Sequence, residues 1–298
     1  KNLTVKQPRI KPLNYYISVI RNVLVRNLKT SLDSKSQGLA IGFLTGSKEY
    51  ISDDIYSAFK ISGAAHILAV SGMHLSVWIL FLSFLVDKLT KRKLPKLIIL
   101  SLAVVFIIFL ASFSPSVMRA GVMMLLYLLG KFLGRETDGL NSLGFAAIVL
   151  LTINPYIAVS VGFQLSFLSV ASIFIIASPA AKLIEERFIP YLPTQPLKRL
   201  ATAVITSILI SISVTLFTFP VSVLAFGGAS TVSVLTNLLL LPVVTPFTVL
   251  SGLLSVFSFI PFLSPLLKIA VKYGAAYVLS VTEMVSEIPN SYISVSFG

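Results

Sequence analysis

The sequence predicts an all-α fold: a polytopic transmembrane helical bundle of about seven or eight membrane segments, some broken or re-entrant, preceded by an amphipathic helix. Three observations carry this. Hydrophobic residues make up 56% of the 298 and charged residues only 12%, where an ordinary soluble domain is about a quarter charged. Such a chain has too little polar sequence to cover its outside in water, so its solvent is lipid. The charge-free stretches are long: 26 residues between Lys60 and Asp87, 22 between Lys96 and Arg119, 43 between Asp138 and Lys182, and 68 between Arg199 and Lys268. A spanning helix needs about 20 such residues. Finally, residues 13–32 put Leu13, Tyr16, Ile17, Ile20, Leu24 and Leu28 on one side of a helix and Ser18, Asn22, Arg26, Lys29 and Asp33 opposite, a pattern for lying along a membrane rather than crossing it.

The elements follow in order. Residues 1–36 form a basic amphipathic element and residues 37–298 the membrane domain. Residues 1–13 lack the charged-then-apolar order of a signal peptide, and the chain reads as a piece of a longer one. Asp53 and Asp54 begin a helix carrying Tyr56 and Phe59. The 43-residue stretch becomes a helical hairpin split at Asn154-Pro155, and the 68-residue stretch is divided by Pro220, Gly227-Gly228, Pro242 and Pro246. Prolines in membrane helices free carbonyls, which is tolerated where the backbone lines a cavity or is covered by neighbours. Residues 220–246 are therefore a cavity candidate, with simple packing of kinked helices as the other reading.

Lys and Arg in short loops set orientation. The block Lys88, Lys91, Arg92, Lys93 and Lys96 is the densest, which puts it in the cytoplasm. Counting spans from there, Lys131, Arg135, Lys182, Arg187, Lys198 and Arg199 are inside, whereas Ser112–Ser116 and Asn154-Pro155 are outside. Residues 1–60 then lie outside with ten Lys/Arg against four Asp/Glu. Within a chain of net charge +13, Arg21, Arg26, Lys29, Lys48 and Lys60 are placed to attract a polyanion or anionic lipid headgroups.

Few residues can carry chemistry. The chain has no cysteine, which removes disulfides and thiolate sites. No Gly-rich phosphate loop, paired catalytic carboxylates or His/Asp metal cluster is visible, so neither a cofactor nor a metal is expected. Both histidines, His66 and His74, fall in one membrane segment, where an ionisable group marks a functional hypothesis. On an unbroken helix their rings stand about 12 Å apart along the axis, and Ser71-Gly72 is where a break would fall. Three readings stay open: interhelical hydrogen-bond glue, the lining of a polar path, and Ser71 as a nucleophile with a histidine base, as in membrane-embedded serine proteases. Against the last, Ala69 stands where a Gly-x-Ser-Gly motif needs glycine. In Ser114-Pro115-Ser116-Val117-Met118-Arg119, serine before proline reads as a helix start. Arg119 at that outer end is either an anion contact or an arginine reaching for the interface. Asn154, Gln164, Ser166 and Asn237 are further polar groups in apolar surroundings, each open to interhelical bonding or path lining.

Together these motifs resemble the competence-domain family, the ComEC-type DNA-uptake channels of bacteria. His66-Ile67-Leu68-Ala69-Val70-Ser71-Gly72-Met73-His74 is similar to the family's His-Leu-Leu-Ala-Val-Ser-Gly-Leu-His run, with Ile67 and Met73 in place of leucines. Pro115-Ser116-Val117-Met118-Arg119-Ala120, Asp138 through Asn141-Ser142-Leu143, Asn154-Pro155, Gly162-Phe163-Gln164-Leu165-Ser166-Phe167, Pro220, Phe226-Gly227, Asn237-Leu238 and Leu241-Pro242 follow in the family's order. The resemblance implies a multi-pass channel in the bacterial cytoplasmic membrane that passes single-stranded transforming DNA inward during natural competence. It also implies partners: a DNA receptor, a cytoplasmic motor, and the family's outer oligonucleotide-binding and metallo-β-lactamase-like modules, neither of which is evident in this sequence. The expectation is thus a conduit rather than an enzyme. Its path candidates are His66, Ser71, Gly72, His74, Pro115, Ser116, Arg119, Gln164, Ser166 and Asn237. A secondary transporter for a small anion and an intramembrane serine protease are the alternatives.

Overall fold

The computed structural model describes residues 13–47, 49–68, 71–191 and 193–294. Among them, helices account for all regular structure except one pair of three-residue strands. Helices α1 (Leu13–Ser31), α2 (Ser34–Thr45), α3 (Asp53–Ile61) and α4 (Ala65–Leu68) precede the long apolar rods. Those rods are α5 (Gly72–Leu89), α6 (Lys93–Leu110), α7 (Pro115–Leu133), the α9–α10 rod within Val161–Tyr191, α11 (Gln195–Phe226) and α12 (Ser233–Phe257), six in all with the length and composition to cross a bilayer. Helix α8 (Gly139–Ile153) is apolar but shorter, about 22 Å at 1.5 Å per residue, less than a hydrocarbon core of about 30 Å. Side chains such as Leu80, Leu102, Ile148, Leu216 and Leu224 stand exposed on these rods, as they must where hydrocarbon replaces water. The protein is a multi-pass helical membrane bundle.

The expected breaks are only partly where the sequence puts them. Asp138 caps α8 by accepting from the Asn141 N–H at 2.7 Å, and Asn154 ends it and accepts from Tyr156 N–H at 3.1 Å, so the hairpin turns at Asn154-Pro155. Within the next rod, α9 (Val161–Ser172) passes through a π-helical turn at Ile173–Ala177 into α10 (Ser178–Phe188). The prolines expected to divide the long stretch do not: α11 runs through Pro220, and α12 through Pro242 and Pro246. Packing against neighbouring helices carries both through these points, and the Tyr277 hydroxyl donates to the Leu239 carbonyl at 3.1 Å, next to the Leu238 carbonyl whose helical donor Pro242 removes. Of the expected divisions, the one at Gly227-Gly228 holds: the left-handed backbone of Gly227 (φ 70°) caps α11.

Two cores hold the bundle. In the first, α2, α3 and α4 pack against α12 and against α13 (Leu263–Ser286), burying Phe43, Phe59, Ile67, Phe247 and Val271 completely or nearly so. The second joins α5, α6 and α7 through Leu75, Leu100, Val104 and Val117. Helix α1 forms as expected and buries Leu28, while Asn27 donates to the Ser255 carbonyl at 2.8 Å and Arg26 and Lys29 stay exposed. Farther toward its start, Tyr16 and Ile20 of the expected apolar stripe face outward with Tyr15, Val19 and Val23. The 1–36 element before residue 13 lies outside the described residues.

Two contacts fix the chain around the start of α12. Gly63 takes a left-handed backbone (φ 79°), and a Cβ there would run into Ser233 and Ser230. This lets the α3–α4 turn press on the first turn of α12, where Thr236 donates to the Ser62 carbonyl at 2.7 Å. Strand β1 (Gly228–Ser230), between α11 and α12, pairs antiparallel with β2 (Tyr292–Ser294), Ala229 opposite Ile293.

Candidate functional site

Where α11 ends and α12 begins, beside the middle of α9, the bundle holds an open cavity of about 340 Å³. Along α11 it is lined from Phe226 back to Val214, a run of about 18 Å at 1.5 Å per residue. The reason lies in the periodicity of α11: Thr215, Thr218 and Ser222 recur at helical spacing and so share the face that lines it. Ser169 of α9, Ser230 of β1 and Ser233 at the start of α12 add to the lining, with the Thr215 and Ser233 hydroxyls 3.2 Å apart. His66 borders the cavity from α4, its Nδ1 donating to the Gly63 carbonyl at 3.1 Å and leaving Nε2 as the free lone pair. Asn237 lies deeper on α12, where its amide donates to Ser211 Oγ at 3.4 Å and its buried Oδ1 has no partner. Lys60 stands at the rim. Not one of the lining residues is a carboxylate, so the cavity offers donors, hydroxyls and one cation to whatever enters.

A second cluster lies behind α9. Gly72 opens α5 against the start of α7, where a Cβ would come within 2.9 Å of both Arg119 Nη2 and Ala120 Cβ and within 3.9 Å of the Ser116 carbonyl. Pro115 begins α7 beside Gly162. Arg119 is buried and donates from Nη1 to the Ser166 carbonyl at 2.9 Å, while its Nε has no partner. Leu165 and Ser169 line the cavity from the same helix, so α9 is the wall between the arginine and the cavity. Gln164 is turned to a local task, donating to the Ala158 carbonyl at 3.1 Å.

The two histidines separate. The helix breaks where Ser71-Gly72 suggested, with Ser71 as the N-cap of α5 and His74 in its first turn. His74 Nδ1 accepts the Ser71 backbone N–H at 3.2 Å and lies 3.1 Å from Ser71 Oγ. Its ring meets Phe43 edge-on at 5.5 Å between centroids, and its buried Nε2 has no partner. A serine–histidine contact of this kind caps a helix: the ring lone pair a nucleophile would need is already taken by a backbone N–H.

The structure therefore brings His66, Asn237 and Lys60 to one cavity, and Gly72, Pro115, Ser116, Arg119 and Ser166 to the cluster behind α9. Ser71, His74 and Gln164 serve helix starts near them. Of the cations that the sequence suggests lie outside, Arg21 donates to Ser112 Oγ at 3.1 Å, Lys29 lies 4.1 Å over the Tyr50 ring, Arg26 is exposed, and Lys48 lies outside the described residues. Sequence reasoning missed Ser169, Thr215, Thr218, Ser222, Ser230 and Ser233. The signal was present for three of them, as a hydroxyl stripe at helical period in an otherwise apolar stretch.

Comparison with known proteins adds a relation of sequence. A family described as Competence protein matches residues 43–298. ComE operon protein 3 of Bacillus subtilis (strain 168) is 26% identical over 238 residues, which are 80% of this chain and 28% of that protein. An uncharacterized protein of Aquifex aeolicus (strain VF5) is 29% identical over 163 residues, 53% of this chain and 38% of its own length. The uncharacterized protein YcaI of Escherichia coli (strain K12) is 25% identical over 239 residues, 77% and 30% respectively. The chain thus spans about a third of the length of these relatives. No solved structure matches it.

Proposed function

Because this chain belongs to the competence protein family, we propose that its bundle conducts one strand of incoming DNA across the bacterial cytoplasmic membrane, with the cavity beside His66 as the entry vestibule. The observation that carries this reading is the lining itself. Hydroxyls of α9, α11 and α12, the His66 imidazole, the Asn237 amide and the Lys60 ammonium meet in one space without a carboxylate. A polyanion passing through must be desolvated by many weak contacts, because one tight site would stall it, and hydroxyls spaced along a helix supply contacts of that strength. Exposed cations on α1 gather the strand by displacing its counterions. A DNA receptor, a cytoplasmic motor, and outer and nuclease-like modules are the partners this reading requires. Strand degradation is assigned to such a module and not to this bundle.

Filling the vestibule tests the idea. Thr218→Phe should reduce DNA that reaches a nuclease-protected state, while DNA bound at the cell surface and the amount of protein in the membrane stay unchanged. Normal internalisation in that variant would remove the cavity from the path. Uptake of a small anion abolished by the same variant, with DNA entry intact, would favour a secondary transporter instead.

A further inference from the structure

At the rim of the cavity, three elements meet on one atom. The Lys60 ammonium and the Tyr292 hydroxyl both donate to the Phe226 carbonyl, each at 3.3 Å. Lys60 also lies over the Tyr292 ring, 5.4 Å from its centroid. Phe226 is the last residue of α11, and its carbonyl is one of those a helix end leaves without an intrahelical donor. The two donors therefore share an acceptor that needs only one of them. Both bonds are exposed, and all three residues line the cavity.

Such an ammonium is held by weak claims. A carbonyl at a helix C-terminus carries a fraction of a charge, and a phosphodiester oxygen carries a share of a full one. A phosphate at the rim can take Lys60 without orphaning Phe226, since the Tyr292 hydroxyl stays on it. Moving Lys60 also clears the face of the Tyr292 ring, which β2 holds in place: Tyr292 pairs with Ser230, and the neighbouring Ser291 carbonyl accepts from Thr231 N–H at 2.9 Å. An open aromatic face beside a bound phosphate is what a nucleobase stacks on, whatever its identity.

Resting on the conduit reading above, we propose that Lys60 and Tyr292 form a one-nucleotide clamp at the cavity mouth, in which Lys60 exchanges the Phe226 carbonyl for a phosphodiester and the vacated Tyr292 ring stacks the adjoining base. The clamp holds a strand by chemistry common to every nucleotide, and each step of the strand repeats the exchange.

The test is binding to the full chain in lipid nanodiscs of three probes: an oligothymidylate, the same oligomer with uncharged methylphosphonate linkages, and the same oligomer lacking bases. Lys60→Gln keeps a donor for Phe226 and removes the charge. It should weaken the oligothymidylate five- to tenfold and leave the methylphosphonate oligomer unchanged. Tyr292→Leu should weaken the oligothymidylate several-fold and leave the abasic oligomer unchanged, whereas Tyr292→Phe, which keeps the ring but leaves Lys60 as the only one of the two donors on the Phe226 carbonyl, should weaken the oligothymidylate less than Tyr292→Leu does and should weaken the abasic oligomer too. Equal losses on charged and uncharged backbones would make Lys60 a structural tie and overturn the clamp. Binding that ignores the bases, and that falls as anionic lipid is added to the nanodisc, would assign the mouth to a lipid headgroup and overturn it as well. If these comparisons fail while Thr218→Phe still blocks internalisation, the conduit stands without the clamp; the reverse pattern leaves a nucleotide site that is not on a conduit.

Discussion

Arg119 crosses from α7 to donate to the Ser166 carbonyl of α9 at 2.9 Å, and its Nε is buried without a partner. A guanidinium placed this way stitches two helices while keeping one donor unused. Replacing a buried charge with an apolar side chain of similar length is often neutral or stabilising, whereas truncation leaves a void. Arg119→Met is expected to hold or raise the thermal midpoint in detergent, and Arg119→Ala to lower stability by roughly 2 kcal/mol or more. If the free Nε serves a passing strand, Arg119→Met will still reduce internalised DNA. A variant both stable and fully active would leave the arginine a structural tie.

The capping of α5 gives a second expectation. His74 Nδ1 accepts the Ser71 N–H, so the ring proton of the neutral imidazole sits on Nε2, and nitrogen NMR shifts of the two ring positions should report that tautomer. His74→Asn retains an acceptor near the same place. His74→Leu does not, and should cost about 1 kcal/mol, the usual worth of a helix-start acceptor. Ser71→Ala should leave both the fold and DNA entry close to the parent, because the N–H that His74 holds belongs to the backbone.

How much of this was legible in the sequence depends on which force decided each feature. The spans were, because hydrocarbon thickness imposes a length that charge spacing reveals. So were the breaks at Ser71-Gly72 and Asn154-Pro155, where local backbone chemistry decides. Pro220, Pro242 and Pro246 misled: a proline removes one backbone bond, but packing against neighbouring helices holds α11 and α12 through the gap, and no sequence rule reports those neighbours. The candidate site was half visible. Polar residues in apolar surroundings were easy to find, yet His66 and Arg119 ended on opposite sides of α9 because the rotation of that helix is set by tertiary contact. The hydroxyls of α11 went unnoticed since single threonines and serines in membrane helices commonly bond to their own backbone, as Thr218 does to the Val214 carbonyl at 2.7 Å.

Asn237 separates stability from function more sharply than any other lining residue. Its amide makes one long bond to Ser211, and its Oδ1 is buried with none. An unsatisfied buried acceptor costs about 1–3 kcal/mol. Asn237→Leu is therefore expected to leave the thermal midpoint equal or higher while lowering internalised DNA, measured at matched protein levels in the membrane. A lower midpoint together with normal DNA entry would identify the amide as interhelical glue.

The cations of α1 differ in how free they are, and that difference orders their expected effects. Arg21 is tied to Ser112, and Lys29 rests over Tyr50, while Arg26 is exposed on the same helix. Each phosphate contact with single-stranded DNA contributes about 0.7 to the slope of log affinity against log salt. If Arg26 and Lys29 each meet one phosphate, the double variant Arg26→Gln/Lys29→Gln should reduce that slope by about 1.4 and weaken binding most at low salt, with internalisation of already bound DNA unaffected. Arg21→Gln should change the slope less and stability more, because its partner is a hydroxyl at the α6–α7 turn. Titrating an oligonucleotide against the intact protein in uncharged nanodiscs between low and physiological salt measures both quantities. A slope unchanged by the double variant would leave these two side chains only a lipid surface to face.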